Sequence, residues 1–445
     1  MIRNYREGRG LPGVFAKKRL KVLTKPRVSS KISPTVSLQG GSSMDRKKTI
    51  RYLGAMYFLY IASNSFWTYS TNYFREIGFN SSQIGAINAT GSFAAMLALP
   101  LIGVLSDKLG SPRRVFACMM GVVAPLHFLF PVVGGIWGNV FVPFLILCVV
   151  STVCRQSGNS LLDSWIGAEM DQIGASFGTI RKYGSGAFVI GSIIASLLIG
   201  KVLPNWVCFL FVACMAVPIF LLAGSHKSDA RKEKEKPAKI TSVLKYVFGN
   251  YYFVTYLLMA MAFDAFLGII SLDMSYLMDE FGTDRANMGY VGAVRASTEV
   301  VVMLLIAKCR KLPPYPVMLV ASGLLVALEH FLYPSLTGLG GMLFATFIGT
   351  GLAGGMFYGI GANYVFKIVD HRAASTAMAI LGLTKSLVAM LGSGVGGRII
   401  EKYGVLTLTT GVGCISLVLT LFFGLACLLG RFVLKIPYVS EKQTV

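Results

Sequence analysis

Residues 99–114 read Leu99-Pro-Leu-Ile-Gly103-Val-Leu-Ser-Asp107-Lys-Leu-Gly110-Ser-Pro-Arg113-Arg114, and this segment between two apolar stretches decides the fold. Gly103 permits close contact between neighbouring helices. The tight loop that follows carries a carboxylate and several cations, which can meet the terminus of a neighbouring helix. The pattern predicts a tight loop between two membrane spans that can contact a neighbouring helix, and its plainer alternative is a positively charged inner loop.

The composition of the chain predicts an integral membrane protein. Hydrophobic residues make up 54% of the 445 residues and the mean hydropathy is +0.64, whereas a soluble domain carries roughly a quarter charged residues. The formal charge of +22 would suit a nucleic-acid partner, but the excess cations lie between the apolar stretches and in the first 43 residues. That distribution indicates membrane topology and argues against nucleic-acid binding.

The chain carries no recognisable cofactor site. Its eight cysteines occur singly within apolar stretches, with no Cys-x-x-Cys pair and no histidine cluster at metal spacing. We expect them to pack as small apolar side chains, so we predict neither a metal nor another cofactor. The sequence also lacks a phosphate-cradling Gly-x-x-x-x-Gly-Lys-Ser/Thr motif and a catalytic triad, so we predict that the protein is not an enzyme and is not driven by ATP.

Residues 1–43 form a basic extension without an apolar span. Such a segment cannot bury a core and is predicted to be disordered. It is either a basic targeting extension or the product of a start codon set too early. We favour the second interpretation because Met44-Asp-Arg-Lys-Lys48 is a natural cytoplasmic lead into a first span.

Twelve stretches are long enough to supply the roughly 20 apolar residues of a membrane-spanning helix. They lie near 51–74, 85–106, 114–133, 139–162, 181–200, 204–223, 250–276, 288–308, 315–334, 339–366, 373–396 and 404–430. We therefore predict an all-α integral membrane protein with twelve transmembrane helices. A charged linker at 225–247 separates an N-terminal six-helix half, 44–224, from a C-terminal half, 248–434, and a tail at 435–445 follows.

A weak repeat relates the two predicted halves. Ala175-Ser176 leads to Gly191-Ser192 in the fifth span, and Ala374-Ser375 leads to Gly392-Ser393 in the eleventh. Two pseudo-symmetric halves around a central cavity are the arrangement that such repeats indicate in transporters.

The distribution of cations between the spans predicts the orientation. If Met44 is cytoplasmic, the inner segments hold most of the lysines and arginines, and the outer segments hold few. This obeys the positive-inside rule. We therefore predict a multi-pass protein of the cell membrane with both termini in the cytoplasm.

The loop from Gly103 to Gly110 resembles the signature loop of the major facilitator superfamily. The resemblance implies that the loop latches the two halves and biases one conformation against the other. We therefore expect Gly103, Asp107, Arg113 and Arg114 to act on conformation and not to contact the solute.

Over nearly all of residues 44–430 the chain resembles the lactose permease type of oligosaccharide/proton symporters and their phenylpropionate-permease-like and nucleoside-symporter relatives. The spacing from Asp163 to Arg181 is similar to that family's acidic residue and arginine, which hold sugar hydroxyls by charge-assisted hydrogen bonds. Phe188 stands where lactose permease stacks a tryptophan on the galactosyl ring, and Asn159 lies one turn before Asp163. The resemblance implies four substrate ligands; a structural Asp163–Arg181 pair or inner-surface anchor, and packing for Phe188, are the alternatives.

Asp264 and Lys385 are opposite charges deep in the seventh and eleventh spans. Either alone is costly in a membrane, and together they neutralise each other. The resemblance implies an aspartate–lysine pair on these same helices. We therefore predict a structural ion pair.

The tenth span departs from the lactose permease pattern, which places a histidine and a glutamate there for proton coupling. This chain reads Gly349-Thr-Gly-Leu-Ala-Gly-Gly-Met-Phe-Tyr358, without an ionisable group. The candidates for a relocated proton site are Glu299, Glu329 and His330, since a buried carboxyl or an imidazole can titrate near neutral pH. Glu299 can instead pair with Arg295, and Glu329-His330 can instead form a wetted outer helix end.

Aromatic and amide side chains of several spans are candidates for the cavity lining. Trp67 and Tyr358 are the two that we include among the substrate ligands, since flat rings suit sugars and nucleobases. Most aromatic residues in a helical bundle pack or anchor at the interface instead.

These observations predict a secondary active transporter that takes up a sugar, an oligosaccharide or a nucleoside with a proton by alternating access. The expected partners are a small-molecule solute, a proton and the lipid bilayer, and the expected state is a monomer. Uptake of an aromatic acid and efflux of drugs or metabolites by the same fold are alternatives. A non-transporting membrane sensor is the alternative from another class.

Overall fold

The computed structural model describes residues 43–175, 177–226, 240–309 and 311–438. The described residues belong to one compact unit. The predicted basic extension up to residue 42, the charged core of the linker at 227–239 and the last residues of the tail, 439–445, lie outside the described residues. The domain boundaries that we predict in these regions stay predictions.

The first half of the bundle contains seven helices. They are α1 (Ser43–Trp67), α2 (Ser70–Glu76), α3 (Ser81–Leu109), α4 (Pro112–Trp137), α5 (Phe141–Gln172), α6 (Gly178–Leu198) and α7 (Val207–Ser225). The predicted first span is interrupted, because α1 ends at Trp67 and the short α2 continues it after a turn.

The second half begins after the short helix α8 (Ile240–Phe248). Its helices are α9 (Tyr251–Glu280), α10 (Met288–Lys308), α11 (Tyr315–Leu332), α12 (Gly338–Thr346), α13 (Leu352–Ile368), α14 (His371–Tyr403) and α15 (Val405–Leu428). The predicted tenth span is likewise interrupted: a π-helical turn at Phe347–Gly351 joins α12 to α13.

The twelve predicted spans correspond to α1–α2, α3 to α7, α9 to α11, α12–α13, α14 and α15. Among the described residues, nine helices are long and apolar enough to cross a membrane by length and composition. The bundle is completed by α1–α2, α6 and α9. The fold is an all-α integral membrane bundle, as the sequence predicts.

Capping residues explain the sharp turns between helices. Asn80 and Gln83 form a reciprocal capping box at the start of α3, which satisfies backbone N–H groups that the first turn leaves free. At the other end of α3, Gly110 adopts a φ of +63°, a left-handed conformation that favours glycine. The Ser111 hydroxyl then accepts from the Arg114 amide to start α4.

Each half has its own aromatic core. In the first half, Phe130 and Phe209 stack with ring centroids 4.4 Å apart. In the second half, Phe263 and Phe357 stack at 4.1 Å. Stacked rings of this kind add to the apolar packing that holds helices together in lipid.

The two halves touch where α3 meets α14 and where α6 meets α10. Small residues allow this approach: a Cβ at Gly85 would overlap the Ser393 carbonyl, and a Cβ at Gly289 would overlap the Ser192 carbonyl. These contacts lie at the end of the bundle opposite the start of α1 and the end of α15, which we call the distal end. We call the opposite end the terminal end.

Candidate solute cavity

A cavity of about 300 Å³ lies between the two halves, on the terminal side of the distal contacts. Side chains from both halves form its wall: Asn64, Trp67, Thr68, Arg155, Phe188, Ser192, Met274, Met288, Val291, Gly292, Arg295, Glu329, Thr346 and Thr350. Three predicted site residues, Trp67, Phe188 and Glu329, are among them. Its composition, rings with a few convergent charged and polar groups, is typical of a small-molecule site.

Arg155 of α5 dominates the wall of the first half. Its guanidinium lies over the Trp67 ring, 4.4 Å from the centroid, and donates to Asn64 Oδ1. The Tyr60 hydroxyl holds the helix there by donating to the Arg155 carbonyl at 2.6 Å. In the described part of the chain the guanidinium contacts an amide and a ring and no carboxylate. A cation inside a membrane protein without an acidic partner marks a solute or ion pathway by default.

Phe188 and Arg295 face each other across the boundary between the halves. The Arg295 guanidinium carbon lies 5.9 Å from the centroid of the Phe188 ring. Arg295 Nε is 3.7 Å from Glu299 Oε1, one turn later on α10, so this arginine has a carboxylate beside it. Glu299 also lies against α13, where a Cβ at Gly354 would meet its carboxylate.

Glu329 of α11 reaches the cavity from beneath the π-helical turn. The residue is 1% exposed. Its carboxylate accepts from the Tyr333 hydroxyl at 2.7 Å, from the Thr350 amide at 2.6 Å and from the Thr350 hydroxyl at 3.2 Å. An acid from the preceding span therefore occupies the place where the tenth span has no ionisable group.

His330, the neighbour of Glu329, points away from the cavity. Its Nδ1 is 2.7 Å from the Val326 carbonyl, and a Cβ at Gly413 of α15 would meet the His330 Cβ. The ring packs edge-on against Tyr333 with centroids 5.8 Å apart. The histidine lies between α11 and α15.

Asp163 and Arg181 lie nearer the terminal end than this cavity. Asp163 is eight residues beyond Arg155 on α5, which corresponds to about 12 Å along a helix. The Tyr57 hydroxyl donates to Asp163 Oδ1 at 3.1 Å, and Arg181 is in electrostatic range of the same carboxylate. Asn159 lies half-buried between Arg155 and Asp163. The fold thus brings Asp163 and Arg181 together, but outside the lining of the central cavity.

Tyr358, Asp264 and Lys385 form a separate group in the second half. The Lys385 ammonium lies 5.8 Å from the centre of the Tyr358 ring and in electrostatic range of the buried Asp264. Tyr358 itself packs edge-on against Phe263, with centroids 5.9 Å apart. The predicted ion pair stays a prediction, with its two members on the packed helices α9 and α14.

At the start of α4, Arg113 connects neighbouring helices within the first half. Its side chain is buried and donates to the carbonyls of Ala223 at 2.7 Å and Gly224 at 3.0 Å, in the last turn of α7. A cation there satisfies carbonyls without intrahelical partners and complements the helix dipole. Gly103 has open space beside it, while Asp107 and the exposed Arg114 lie on either side of the turn.

The distal end is closed by a charged and a polar cluster. Asp279, beyond the apolar span of α9, accepts from Arg285 at 2.6 and 2.8 Å and from Arg75 at 2.5 Å. Burial raises the pKa of the Asp279 carboxyl, but the hydrogen bonds from Arg285 and Arg75 outweigh it, so the pKa lies below its ordinary value. Deeper, the Tyr69 hydroxyl accepts from the Gly289 amide at 3.1 Å and donates to the Ala286 carbonyl at 2.7 Å.

The roles of Arg155 and Thr350 could not be assigned from sequence. Arg155 is visible there as an intramembrane cation, but its neighbours Asn64 and Trp67 lie about ninety residues earlier in the chain and only the fold joins them. Thr350 has no sequence signal, because the π turn that frees its amide is not encoded by a recognisable motif.

A helical membrane bundle with two halves around a polar cavity defines the class of membrane transporters. The profile of the MFS_1 like family matches residues 50–409. The chain belongs to this family, which confirms the resemblance to the major facilitator superfamily. No curated protein matches the chain by sequence at a significant level.

Solved structures of transporters share the fold. A variant of the nucleoside transporter NupG superposes with a TM-score of 0.73 at 18% identity, covering 85% of this chain and 99% of that one. A bacterial homolog of the human lysosomal transporter Spinster gives 0.64 at 15% identity, with 89% and 99% coverage. The peptide transporter POT gives 0.68 at 12% identity, with 86% and 94% coverage. The family and these neighbours are transporters and not enzymes.

Proposed function

We propose that the protein is a secondary active transporter that takes up a small organic solute together with a proton by alternating access. The observation that carries this proposal is the central cavity, which lies between the halves and is separated from the distal side by contacts among small residues. Such contacts can separate as two rigid halves rock around a fixed site. The topology expected from the cation distribution places the protein in the cell membrane with cytoplasmic termini.

A nucleoside or a small sugar is the first candidate solute. The cavity of about 300 Å³ lies at the lower end of the range of ligand pockets, roughly 300–1,000 Å³, which favours one or two small rings over an oligosaccharide. Trp67 and Phe188 offer ring faces, and Asn64, Thr68 and Thr350 offer hydrogen-bonding groups. The fold shared with the nucleoside transporter NupG supports this class.

An aromatic acid is the second candidate, and Arg155 favours it. The guanidinium lies in the cavity wall beside a ring and contacts no described carboxylate. A solute carboxylate would supply the missing charge while its ring lies against Trp67 or Phe188. The two candidates differ in whether the solute is charged.

Asp163 and Arg181 are proposed as ligands of a second solute position on the way to the terminal end. Their approach across α5 and α6, with the Tyr57 hydroxyl beside them, suits hydroxyl groups that pass along the pathway. The loop at Gly103–Arg114 is proposed to stabilise the opposite conformation, in which the terminal end closes.

The test is solute-induced proton movement in proteoliposomes. Uridine, glucose, lactose and phenylpropionate are added in turn while the external pH and uptake of the radiolabelled compound are recorded. We expect one class to enter with a rise in external pH, and the class identifies the solute. Uptake without proton movement would contradict proton coupling, and the absence of uptake of the whole panel would contradict the proposed solutes.

A further inference from the structure

The hydrogen bonds of Glu329 distinguish it from the other acids of the bundle. One carboxylate oxygen accepts from the Tyr333 and Thr350 hydroxyls and the other accepts from the Thr350 amide. An ionised carboxylate is an acceptor only, so all three donors suit the charged form. A protonated carboxyl has a donor of its own and satisfies the same three donors less well.

The π turn explains why a backbone amide is available to Glu329. In an α-helix each amide donates to the carbonyl four residues earlier, whereas the wider π turn at Phe347–Gly351 disturbs that ladder. Here the Thr350 amide donates sideways to Glu329, and the Thr350 hydroxyl also lies 3.4 Å from the Thr346 carbonyl. π turns of this kind occur often at functional sites.

Gly349 makes the contact sterically possible. A Cβ at this position would overlap the Cβ and the carboxylate of Glu329. The close approach of α11 to the π turn therefore needs a glycine, although the local backbone of Gly349 is not left-handed.

Of the three candidate proton sites, Glu329 is the one that lines the cavity, and among the described residues no cation lies within salt-bridge distance of it. Arg295 of α10 is the cation in electrostatic range, and it has Glu299 beside it. Tyr333 and Thr350 are hydrogen-bonded neighbours, and His330 is turned towards α15. Protonation of Glu299 would leave Arg295 without its carboxylate, and His330 lies outside the cavity lining.

We propose that Glu329 carries the coupled proton and that the π turn at Thr350 is the element that responds to it. This inference rests on the proposed proton-coupled transport and names its site. Protonation weakens the acceptor that holds the Thr350 amide and allows the turn to relax towards α-helical geometry. Because one residue of an α-helix corresponds to about 100° of rotation, the relaxation turns α13 against its neighbours.

The first experiment needs no solute. Infrared difference spectra of the purified protein between alkaline and acidic buffer report the carbonyl band of a carboxyl group that gains a proton. We expect a band that Glu329→Gln removes and that the matched variant Glu299→Gln retains. Since the other acids of the chain contribute to both spectra, a carbonyl band in Glu329→Gln identical to that of the wild type would overturn the proposal whatever the transported solute is.

The second experiment uses uridine as the probe and separates its exchange across the membrane from its proton-coupled accumulation. In proteoliposomes we expect Glu329→Gln to retain exchange of uridine across the membrane and to lose accumulation driven by an imposed pH gradient. Gly349→Ala is expected to lose accumulation as well, because its methyl group displaces Glu329, while Gly340→Ala, which has open space beside it, behaves as the wild type. Accumulation by Glu329→Gln at the wild-type level would overturn the assignment while leaving proton-coupled transport intact.

Discussion

Among the cavity residues, Arg155 gives the clearest indication of whether the solute is charged. Its guanidinium is fixed from two sides, by the Asn64 amide oxygen and by the Trp67 ring. A planar guanidinium held in this way can present its remaining N–H groups to a bound molecule as a fork. A lysine would keep the charge and lose the fork.

We predict that Arg155→Ala raises the KM for the transported solute by roughly tenfold to a hundredfold, because a hydrogen bond to a charged group contributes about 1.5–3 kcal/mol. Arg155→Lys separates the two solute classes. It should preserve much of the transport of an anionic solute and little of that of a neutral one. Initial-rate measurements of both variants check this, and unchanged kinetics in both would remove Arg155 from the site.

Asp279 supplies a pH dependence at the distal end. Its pKa lies below the ordinary value in the closed conformation, so the carboxylate stabilises closure at pH values above its ordinary pKa. That stabilisation is lost as the pH falls through the lowered pKa. We therefore predict that acidification opens the distal end.

The measurement is labelling of a cysteine at Thr68, in the cavity wall, by an impermeant reagent added on the distal side of a variant without native cysteines. Labelling should increase as the pH falls through the lowered pKa of Asp279, and it should lose its pH dependence in Asp279→Asn. An equal pH response in Asp279→Asn would assign the effect to another group.

Three residues that the sequence singles out lie in the cavity wall. Trp67 and Phe188 are predicted solute ligands and Glu329 is a predicted proton site, and these roles stay predictions. The Asp163–Arg181 pair lies together but nearer the terminal end, since sequence spacing fixes the helix and face of a residue but not its depth relative to the cavity.

At the scale of helices, close packing of glycine decides whether the distal end can close. The amide of Gly289 contacts Tyr69, and no side chain separates α10 from Ser192 of α6. Helices in lipid associate through such small residues, because the bilayer gives them no hydrophobic drive to associate.

We predict that Gly289→Ala shifts the population towards the conformation with an open distal end, because its methyl group would overlap the Ser192 carbonyl. Gly186→Ala on α6 is the control, since open space lies beside it. The Thr68 cysteine assay reports the shift as faster distal labelling in Gly289→Ala alone. Equal labelling of the two variants would show that this packing does not hold the gate.

The hydrogen bonds from Arg113 of α4 to the end of α7 are expected to stabilise the folded protein. Arg113→Ala removes two hydrogen bonds to the end of α7 and should lower the free energy of unfolding by about 1.5–3 kcal/mol. Thermal unfolding in detergent measures this loss, with Lys108→Ala, at an exposed position at the end of α3, as the control. An unchanged melting temperature in Arg113→Ala would mean that water replaces the guanidinium at these carbonyls.

The sequence predicted the helices better than their irregularities. Apolar length located the twelve spans because lipid requires every backbone group to be paired within a helix. The break between α1 and α2 and the π turn before α13 were missed, since no proline marks either position.

At the scale of the whole molecule, the closed distal end and the cavity beneath it belong to one of the two conformations that a transporter of this kind adopts. Alternating access requires a second conformation in which the distal contacts separate and the terminal end closes. A solute or a proton shifts the equilibrium only through different affinity for the two conformations.

The most direct test is a pair of distance distributions between spin labels in a variant without native cysteines. One pair, at Glu76 and Lys402, reports the distal end, and the other, at Leu109 and Lys308, reports the terminal end; all four positions are exposed. Introducing Gly289→Ala should lengthen the first distance and shorten the second in the same fraction of molecules. Distal opening without terminal closure, or no change in either distance, would contradict alternating access.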